Sequence, residues 1–462
     1  MLNESHLSNA TIVALATPPG IGSIAVIRVS GEAAIPILES LMNGKTLKDK
    51  ASHTLHFAKL YQDKTAIDEV VLALYKNPKS YTGEDVVEIS CHGSPYIQQQ
   101  LIEAIIHAGA RMALPGEFTK RAFINGKLDL SQAEAVADLI AAQTAGSHEL
   151  ALRQLRGGYS EELKQLRDQL IWFASLIELE LDFSQEDVEF ADRTQLEKLL
   201  ANITASLTQL IHSFQLGNAI KNGVNVAIVG NPNAGKSTLL NALLQENRAI
   251  VSAIAGTTRD TIEEVLNING ISFRLIDTAG LRNTQDQIEK IGVEKSIQKI
   301  QEAQVLLYVY DVNSLSEQAL QQALSELPST AAHRILVGNK ADLLAQSSIG
   351  KVTINATGEQ CISIAALQQH GIKELEQLLY ETALNANFQS EGVIVSNMRH
   401  LEGLQHTAEA IAEITNGMQL QLPGDLLAAH IRQALYHLGT ITGEVTNEDL
   451  LDTIFKKFCI GK

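Results

Sequence analysis

Residues 230–237 read Gly-Asn-Pro-Asn-Ala-Gly-Lys-Ser, and the apolar run 224–229 leads directly into them. A second apolar run, 239–244, follows as the start of a helix. A buried strand, a glycine loop and a helix in that order predict an α/β domain whose loop wraps an oligophosphate. The glycines let the backbone come close enough for several N–H groups to point at phosphate oxygens. Lys236 then adds charge at the outer phosphates, and the Ser237 hydroxyl sits on a magnesium ion.

Four further elements follow in the order that a GTP-binding domain needs. Asp277, Thr278, Ala279 and Gly280 come directly after the strand-like run 271–276, so Asp277 can reach the magnesium shell and Gly280 can offer its N–H to a γ-phosphate. Asn339, Lys340, Ala341 and Asp342 follow a second buried run at 335–337. The Asp342 carboxylate can accept two N–H bonds from a guanine edge, whereas adenine presents a lone pair there and is rejected. Between them, residues 256–260 read Gly-Thr-Thr-Arg-Asp, where a threonine hydroxyl completes the magnesium shell only with a γ-phosphate present. The fifth element is the weakest. Either 363–365 or 365–367 stands where a Ser-Ala-Lys loop would touch guanine, and neither matches it cleanly.

Leu281 follows Gly280, where Ras-like domains carry a glutamine that orients the attacking water. Leucine cannot bond that water, so catalysis needs another source. The carbonyl oxygen of Asn233 can hold a monovalent cation against the phosphates. The carboxylate of Glu289 can orient water, although its spacing equally suits a solvated helix residue.

The chain has 462 residues, enough for about three domains. Its formal net charge is −17, which argues against a broad nucleic-acid-binding surface. The three cysteines, Cys91, Cys361 and Cys459, are too scattered for a disulfide framework or a metal signature. No uncharged apolar stretch is long enough to span a bilayer, and the N-terminus has no signal-peptide pattern. A cytoplasmic protein with no membrane association is the expectation.

Residues 1–125 alternate strand-like runs at 11–15, 24–29, 70–75 and 86–89 with Gly/Pro turns and one helix at 96–108, which predicts an α+β domain. From Ser131, read with Glu134 as a capping box, helical patterns run to 222. The GTPase segment takes 223–386, and helices resume at 399–419, 424–438 and 447–458. The fold class is therefore multidomain: an α+β N-terminal domain, an all-α domain in two parts (126–222 and 387–462), and an α/β P-loop domain inserted between those parts. The acidic run 178–189 reads as a solvated helix end and loop, not as a metal site.

Several motifs carry a resemblance along the whole chain. They are Thr-Pro-Pro-Gly at 17–20, Tyr-Thr-Gly-Glu-Asp at 81–85, Pro-Gly-Glu-Phe at 115–118, Lys-Leu-Asp-Leu at 127–130, Asp-Thr-Ala-Gly-Leu-Arg at 277–282 and the terminal Cys-Ile-Gly-Lys. With the inserted GTPase segment, the chain resembles the MnmE family of tRNA modification GTPases. The resemblance implies an N-terminal domain that binds 5-formyl-tetrahydrofolate and forms a homodimer. It implies GTPase domains activated by potassium (K+) and requiring magnesium (Mg2+). A flavoprotein partner, MnmG, would join in modifying carbon 5 of the wobble uridine of certain tRNAs.

Carried over by residue, the folate contacts would be Arg28, Glu88 and Lys127, with Lys462 reaching in from the C-terminus. A carboxylate suits a pterin edge and the basic groups suit a glutamate tail. Read without the resemblance, Arg28 and Glu88 are simply a surface ion pair. The nucleotide loop would comprise Asn233, Ala234, Gly235, Lys236, Ser237 and Thr238. A second loop would supply Ser252, Ala253, Ile254, Ala255, Gly256, Thr257 and Thr258. Potassium would meet Asn233, Ser252, Ile254 and Thr257, and magnesium Ser237 and Thr258. The resemblance makes Glu289 a catalytic residue and Arg259 a switch-stabilising one. Cys459 is either a nucleophile toward the uridine ring or a small residue on a packed tail. The GTPase segment alone would equally suit an Era-like ribosome-assembly switch, but such proteins append a basic RNA-binding domain, which this acidic-to-neutral C-terminus does not resemble.

Overall fold

Four of the six strands near the N-terminus alternate in exposure, and there the sheet has one packed and one more open face. The computed structural model describes residues 10–182, 193–247, 264–277, 300–314, 317–327, 333–344, 349–355, 358–384 and 392–461. The strands are β1 (Ile12–Leu15), β2 (Ile24–Ser30), β3 (Thr54–Gln62), β4 (Thr65–Tyr75), β5 (Val86–His92) and β6 (Arg111–Met112). They pair in the order β3-β4-β5-β2-β1-β6, all antiparallel except β1 with β6. On one face Ile27, Val29, Leu60, Leu72 and Ile89 pack with residues of α1 (Ala34–Ser40) and α2 (Pro95–His107). Side chains alternate along a strand, so Arg28 of β2 and its partner Glu88 of β5 stand on the opposite face.

β3 is missing from the sequence-based expectation for a clear reason. Leu55 and Phe57 are exposed while Ala58 and Leu60 are buried, so apolar residues on both faces blur the period of two. A short helix, α3 (Glu117–Ile124), starts within the Pro-Gly-Glu-Phe motif, and α4 (Leu130–Ala141) follows it. The predicted capping box is shifted by two residues. Asp129 accepts from the Gln132 N–H at 2.9 Å and the Gln132 side chain accepts from the Asp129 N–H at 3.0 Å, while the Ser131 hydroxyl donates to Asp129. The Asp129 carboxylate and the Gln132 side chain thus satisfy two N–H groups at the helix start reciprocally.

Beyond α4 come α5 (Ala145–Leu155), α6 (Gly158–Asp182) and α7 (Arg193–Asn222). The parallel sheet follows, with β7 (Val224–Gly230), α8 (Lys236–Asn247), β8 (Glu264–Ile268), β9 (Ile271–Asp277), β10 (Val305–Asp311), α9 (Glu317–Ser325), β11 (His333–Asn339), β12 (Val352–Ile354), β13 (Gln360–Ser363) and α10 (Ile372–Ala383). The strand order is β12-β13-β11-β10-β7-β9-β8, parallel throughout except for the two edge strands β8 and β12. The central strands are buried on both sides. In β7, Val224, Val226 and Ile228 face one core cluster, while Ala227 and Val229 face another. That explains a continuous apolar run where a half-buried strand would alternate.

The chain closes with α11 (Met398–Gln419), α12 (Gly424–Thr442) and α13 (Glu448–Phe455). Two compact units result: one takes the described residues of Met1–Ala137, Gln154–Ala174 and Ile431–Lys462, the other those of Asp138–Arg153 and Ser175–His430. The division falls inside α4, α5, α6 and α12. Within the second unit α7, before the parallel sheet, packs against α11, after it. The Ser213 hydroxyl of α7 accepts from the Val395 N–H at 2.9 Å, and a Cβ at Gly217 would run into the Val395 carbonyl. Glycine is therefore required where the two ends of the sheet domain meet. No described helix is long and apolar enough to cross a membrane.

Candidate functional site

The loop between β7 and α8 holds Gly230 at φ +146°, Asn233 at +61° and Gly235 at +91°. A Cβ at Gly230 would strike the Val309 carbonyl, and one at Gly235 would strike the Asn339 amide. Both positions thus need glycine for the sheet to pack and for the loop backbone to stay open to a ligand. Ala234 is buried and anchors the loop; Asn233 and Ser237 are exposed, with Lys236 and Thr238 half-buried. Helix α8 begins at Lys236, so its unpaired N–H groups and dipole favour an anion at that end. The Lys236 ammonium donates to the Gly230 carbonyl at 2.8 Å and the Asn231 carbonyl at 3.0 Å, across the mouth of the loop. Asp277 ends β9 in register with Ile228 of β7, at the same edge of the sheet.

Asn339 joins the other half of the site to this loop. Its amide donates to the Ala234 carbonyl at 2.9 Å, and its carbonyl oxygen accepts from the Ala366 N–H at 3.1 Å. Of the two stretches proposed as the fifth element, Ala366 in 365–367 is the one held directly by Asn339. Lys340, at φ +62°, donates to Asp311 at 2.8 Å. That bond holds the Asp311 carboxyl below its ordinary value. Ala341 is buried under the turn, and Asp342 is exposed.

The first unit carries a second constellation on its open sheet face. Arg28 donates to Glu88 from Nε at 2.9 Å and from a terminal nitrogen at 2.8 Å. The guanidinium lies 5.4 Å from the Tyr81 ring centroid and 5.6 Å from that of Phe118. Its remaining arm donates to the Gly461 carbonyl at 3.4 Å. The ion pair that residue chemistry alone expects is therefore present, enclosed by two aromatic rings and the C-terminal tail. Lys127 is exposed and donates to the Pro78 carbonyl at 3.0 Å, beside the Tyr-Thr-Gly-Glu-Asp turn.

The tail reaches Arg28 because α13 and the turn after it dock Leu451, Phe455 and Phe458 on Leu130 and Ala133. Cys459 is exposed, and its carbonyl accepts from the Gly116 N–H at 3.3 Å. Gly116, at φ +68°, leaves room for Phe455 and Phe458, and Gly461, at φ +97°, for the Leu15 carbonyl. No spacing in the sequence assigns separate roles within Pro-Gly-Glu-Phe. Gly116 is the tail seat, Phe118 the floor beneath Arg28, and Glu117 a buried tie between Arg111 and Arg121. Burial pushes the Glu117 carboxyl up, but bonds from Arg111, the Leu114 N–H and Arg121 outweigh it and hold it below its ordinary value. Arg121 in turn meets both oxygens of Glu84 at 3.0 Å.

Arg259, Glu289, Ser252, Ala253, Ile254, Ala255, Gly256, Thr257, Thr258, Thr278, Ala279, Gly280 and Lys462 lie outside the described residues. No group of three or more His, Cys, Asp or Glu capable of holding a metal occurs among the described residues. Magnesium at a phosphate-loop serine takes most of its ligands from phosphate and water, so that site leaves no such cluster.

A parallel sheet with a glycine loop leading into α8, tied by Asn339 to an Asn-Lys-Ala-Asp turn, defines a P-loop GTPase. The chain matches the model of the MnmE helical domain over residues 130–459 and that of the GTP-binding protein TrmE N-terminus over 11–127. It is 53% identical to the tRNA modification GTPase MnmE of Cytophaga hutchinsonii over 452 residues, covering 98% of each chain. Against the protein of that name from Christiangramia forsetii it is 49% identical over 471 residues, covering 98% of this chain and 99% of the relative. The Flavobacterium psychrophilum protein is also 49% identical, over 459 residues, with 98% and 99% covered. The chain belongs to the MnmE family of GTPases.

Proposed function

We propose that this chain is a potassium-activated GTPase that, with a flavoprotein partner of the MnmG kind, modifies carbon 5 of the wobble uridine of certain tRNAs. It does so in the cytoplasm, as a homodimer. The observation that carries this beyond the GTPase class is the docking of the C-terminal tail on Arg28. A guanidinium paired to Glu88 between Tyr81 and Phe118 suits a flat, hydrogen-bonding ring with an anionic tail, as in 5-formyl-tetrahydrofolate. Such a folate would supply a one-carbon unit. Glu88 accepts from the ring edge, Arg28 and Lys127 face its acidic groups, and Lys462, next to Gly461 in the sequence, would add a further basic group.

In the GTPase domain the loop residues 233–238 bind and orient the phosphates, and Asp342 selects guanine. Ser237, Thr258 and Asp277 serve the magnesium ion; Asn233, Ser252, Ile254 and Thr257 serve potassium, which supplies positive charge where other GTPases use arginine. Glu289 holds the attacking water in place of the glutamine that Leu281 replaces, and Arg259 steadies the switch loop. Cys459 is exposed two residues before Gly461, and its backbone seats the tail on Gly116 whichever role the thiol has.

The test is nucleoside mass spectrometry of bulk tRNA from cells lacking the gene. Loss of the 5-substituted wobble uridine, restored by the wild-type chain and not by one truncated after Phe458, is the expected result. Unchanged modification in the deletion strain refutes the assignment.

A further inference from the structure

Asp342 ends the Asn-Lys-Ala-Asp turn, exposed, with its Oδ2 taken by a neighbour. The Gln368 side-chain amide donates to that oxygen at 2.9 Å. Gln368 is not placed there by chance of a loose loop. Ala365 and His370 exchange backbone bonds at 3.0 and 3.2 Å, closing the segment between them. The Ala366 N–H is held by Asn339, which also holds the nucleotide loop through Ala234. Asn339 therefore fixes the turn that presents Gln368 and the loop that binds phosphate in one frame.

A guanine edge brings two N–H donors to Asp342 and needs both carboxylate oxygens. The Gln368 amide brings one N–H donor to one of those oxygens, from within the same chain. We infer that Gln368 is an internal competitor for the guanine-reading carboxylate, and so sets the affinity and the on-rate of guanine nucleotides. The inference rests on reading Asp342 as the guanine carboxylate. An exposed side-chain hydrogen bond exchanges with water and keeps only a modest net preference. The fraction of molecules with Asp342 free then divides the apparent affinity. Removing the competitor should tighten binding about threefold to tenfold.

The side chain also limits what the effect can depend on. Release of Asp342 precedes contact with the base, so the gain belongs in the association rate and is the same for GDP and GTP. It cannot survive loss of the carboxylate itself.

The experiment is stopped-flow binding of fluorescent GDP and GTP analogues to the full-length chain with Gln368→Ala, with Gln368→Met, with Asp342→Ala and with both positions changed. Methionine keeps the length of glutamine and lacks the N–H, so it separates lost competition from a collapsed loop. Both single variants at 368 should bind about threefold to tenfold tighter through faster association, and neither should differ from the Asp342→Ala chain by more than about twofold when combined with it. Unchanged or weaker binding in both 368 variants, with Asp342→Ala impaired, overturns the competition while leaving the guanine site standing. Unchanged GDP binding in Asp342→Ala removes the guanine-site reading and this inference with it.

Discussion

Gly116→Ala tests whether tail docking is a requirement of modification or an ornament of the fold. Gly116 sits in the left-handed region, where a side chain costs about 1–2 kcal/mol. The added Cβ would lie 2.7 Å from the Phe455 carbonyl oxygen and 3.0 Å from the Phe455 and Phe458 Cβ atoms. Relieving such overpacking costs about 1–3 kcal/mol more. The total, about 2–5 kcal/mol, opposes the docking of Leu451, Phe455 and Phe458. Each of those side chains contributes about 1.5–3 kcal/mol on burial, before the entropy of ordering the segment is subtracted. A perturbation of 2 kcal/mol multiplies the undocked fraction by about thirty. Carboxypeptidase digestion of the C-terminus, followed by mass spectrometry, reads that fraction when opening is fast relative to cleavage. The expected result is at least about tenfold faster digestion, depleted wobble-uridine modification and an unchanged GTP hydrolysis rate. Digestion at the wild-type rate refutes the steric argument; fast digestion with full modification refutes the functional one.

Hydrolysis should be faster in potassium than in sodium at equal ionic strength, and Asn233→Ala should abolish the difference while nucleotide titration stays near wild type. Glu289→Ala should slow turnover about a hundredfold with little change in GTP affinity; a parallel loss of binding would make the residue structural. Arg28→Ala or Glu88→Ala should weaken calorimetric binding of 5-formyl-tetrahydrofolate without altering GTP hydrolysis, and wild-type binding in both would remove the folate site. Glu117→Gln should cost about 3 kcal/mol near neutral pH by leaving Arg111 and Arg121 short of a buried counter-charge. Because the Glu117 carboxyl is held below its ordinary 4.5, its contribution is present above that value and lost as pH falls through the lowered one. Urea unfolding followed by Trp172, the one tryptophan, should show the gap between variant and wild type closing in acid; a pH-independent gap would contradict the assignment.

The nucleotide half of the protein was legible because its motifs are local. Strand, loop and helix are contiguous at 224–244, and Asn339 and Asp342 stand in one turn. What spacing could not reveal was the pair of bonds from Asn339 to Ala234 and Ala366, which ties the nucleotide loop to the 365–367 stretch. The other candidate site was reachable only through resemblance. Arg28, Glu88, Tyr81, Phe118 and Gly461 are drawn together by a sheet register and by the return of the chain end, and no periodicity encodes either. The capping box slipped because two cap signals, Asp129 with Gln132 and Ser131 with Glu134, overlap within six residues, and the pair that starts at Asp129 is the one that forms.

The contact of Ser213 and Gly217 in α7 with Val395 has a consequence for how this architecture can be rebuilt. The chain leaves α7 for the parallel sheet and returns beside it at Val395, so the two chain ends of the sheet meet at one stem. That stem is not the sole tie, because Leu216 and Ala219 of α7 belong to the core of the sheet itself. A foreign domain exchanged at this stem would have to cover those two side chains. It would also have to let a carbonyl rest against the bare face of α7 at Gly217.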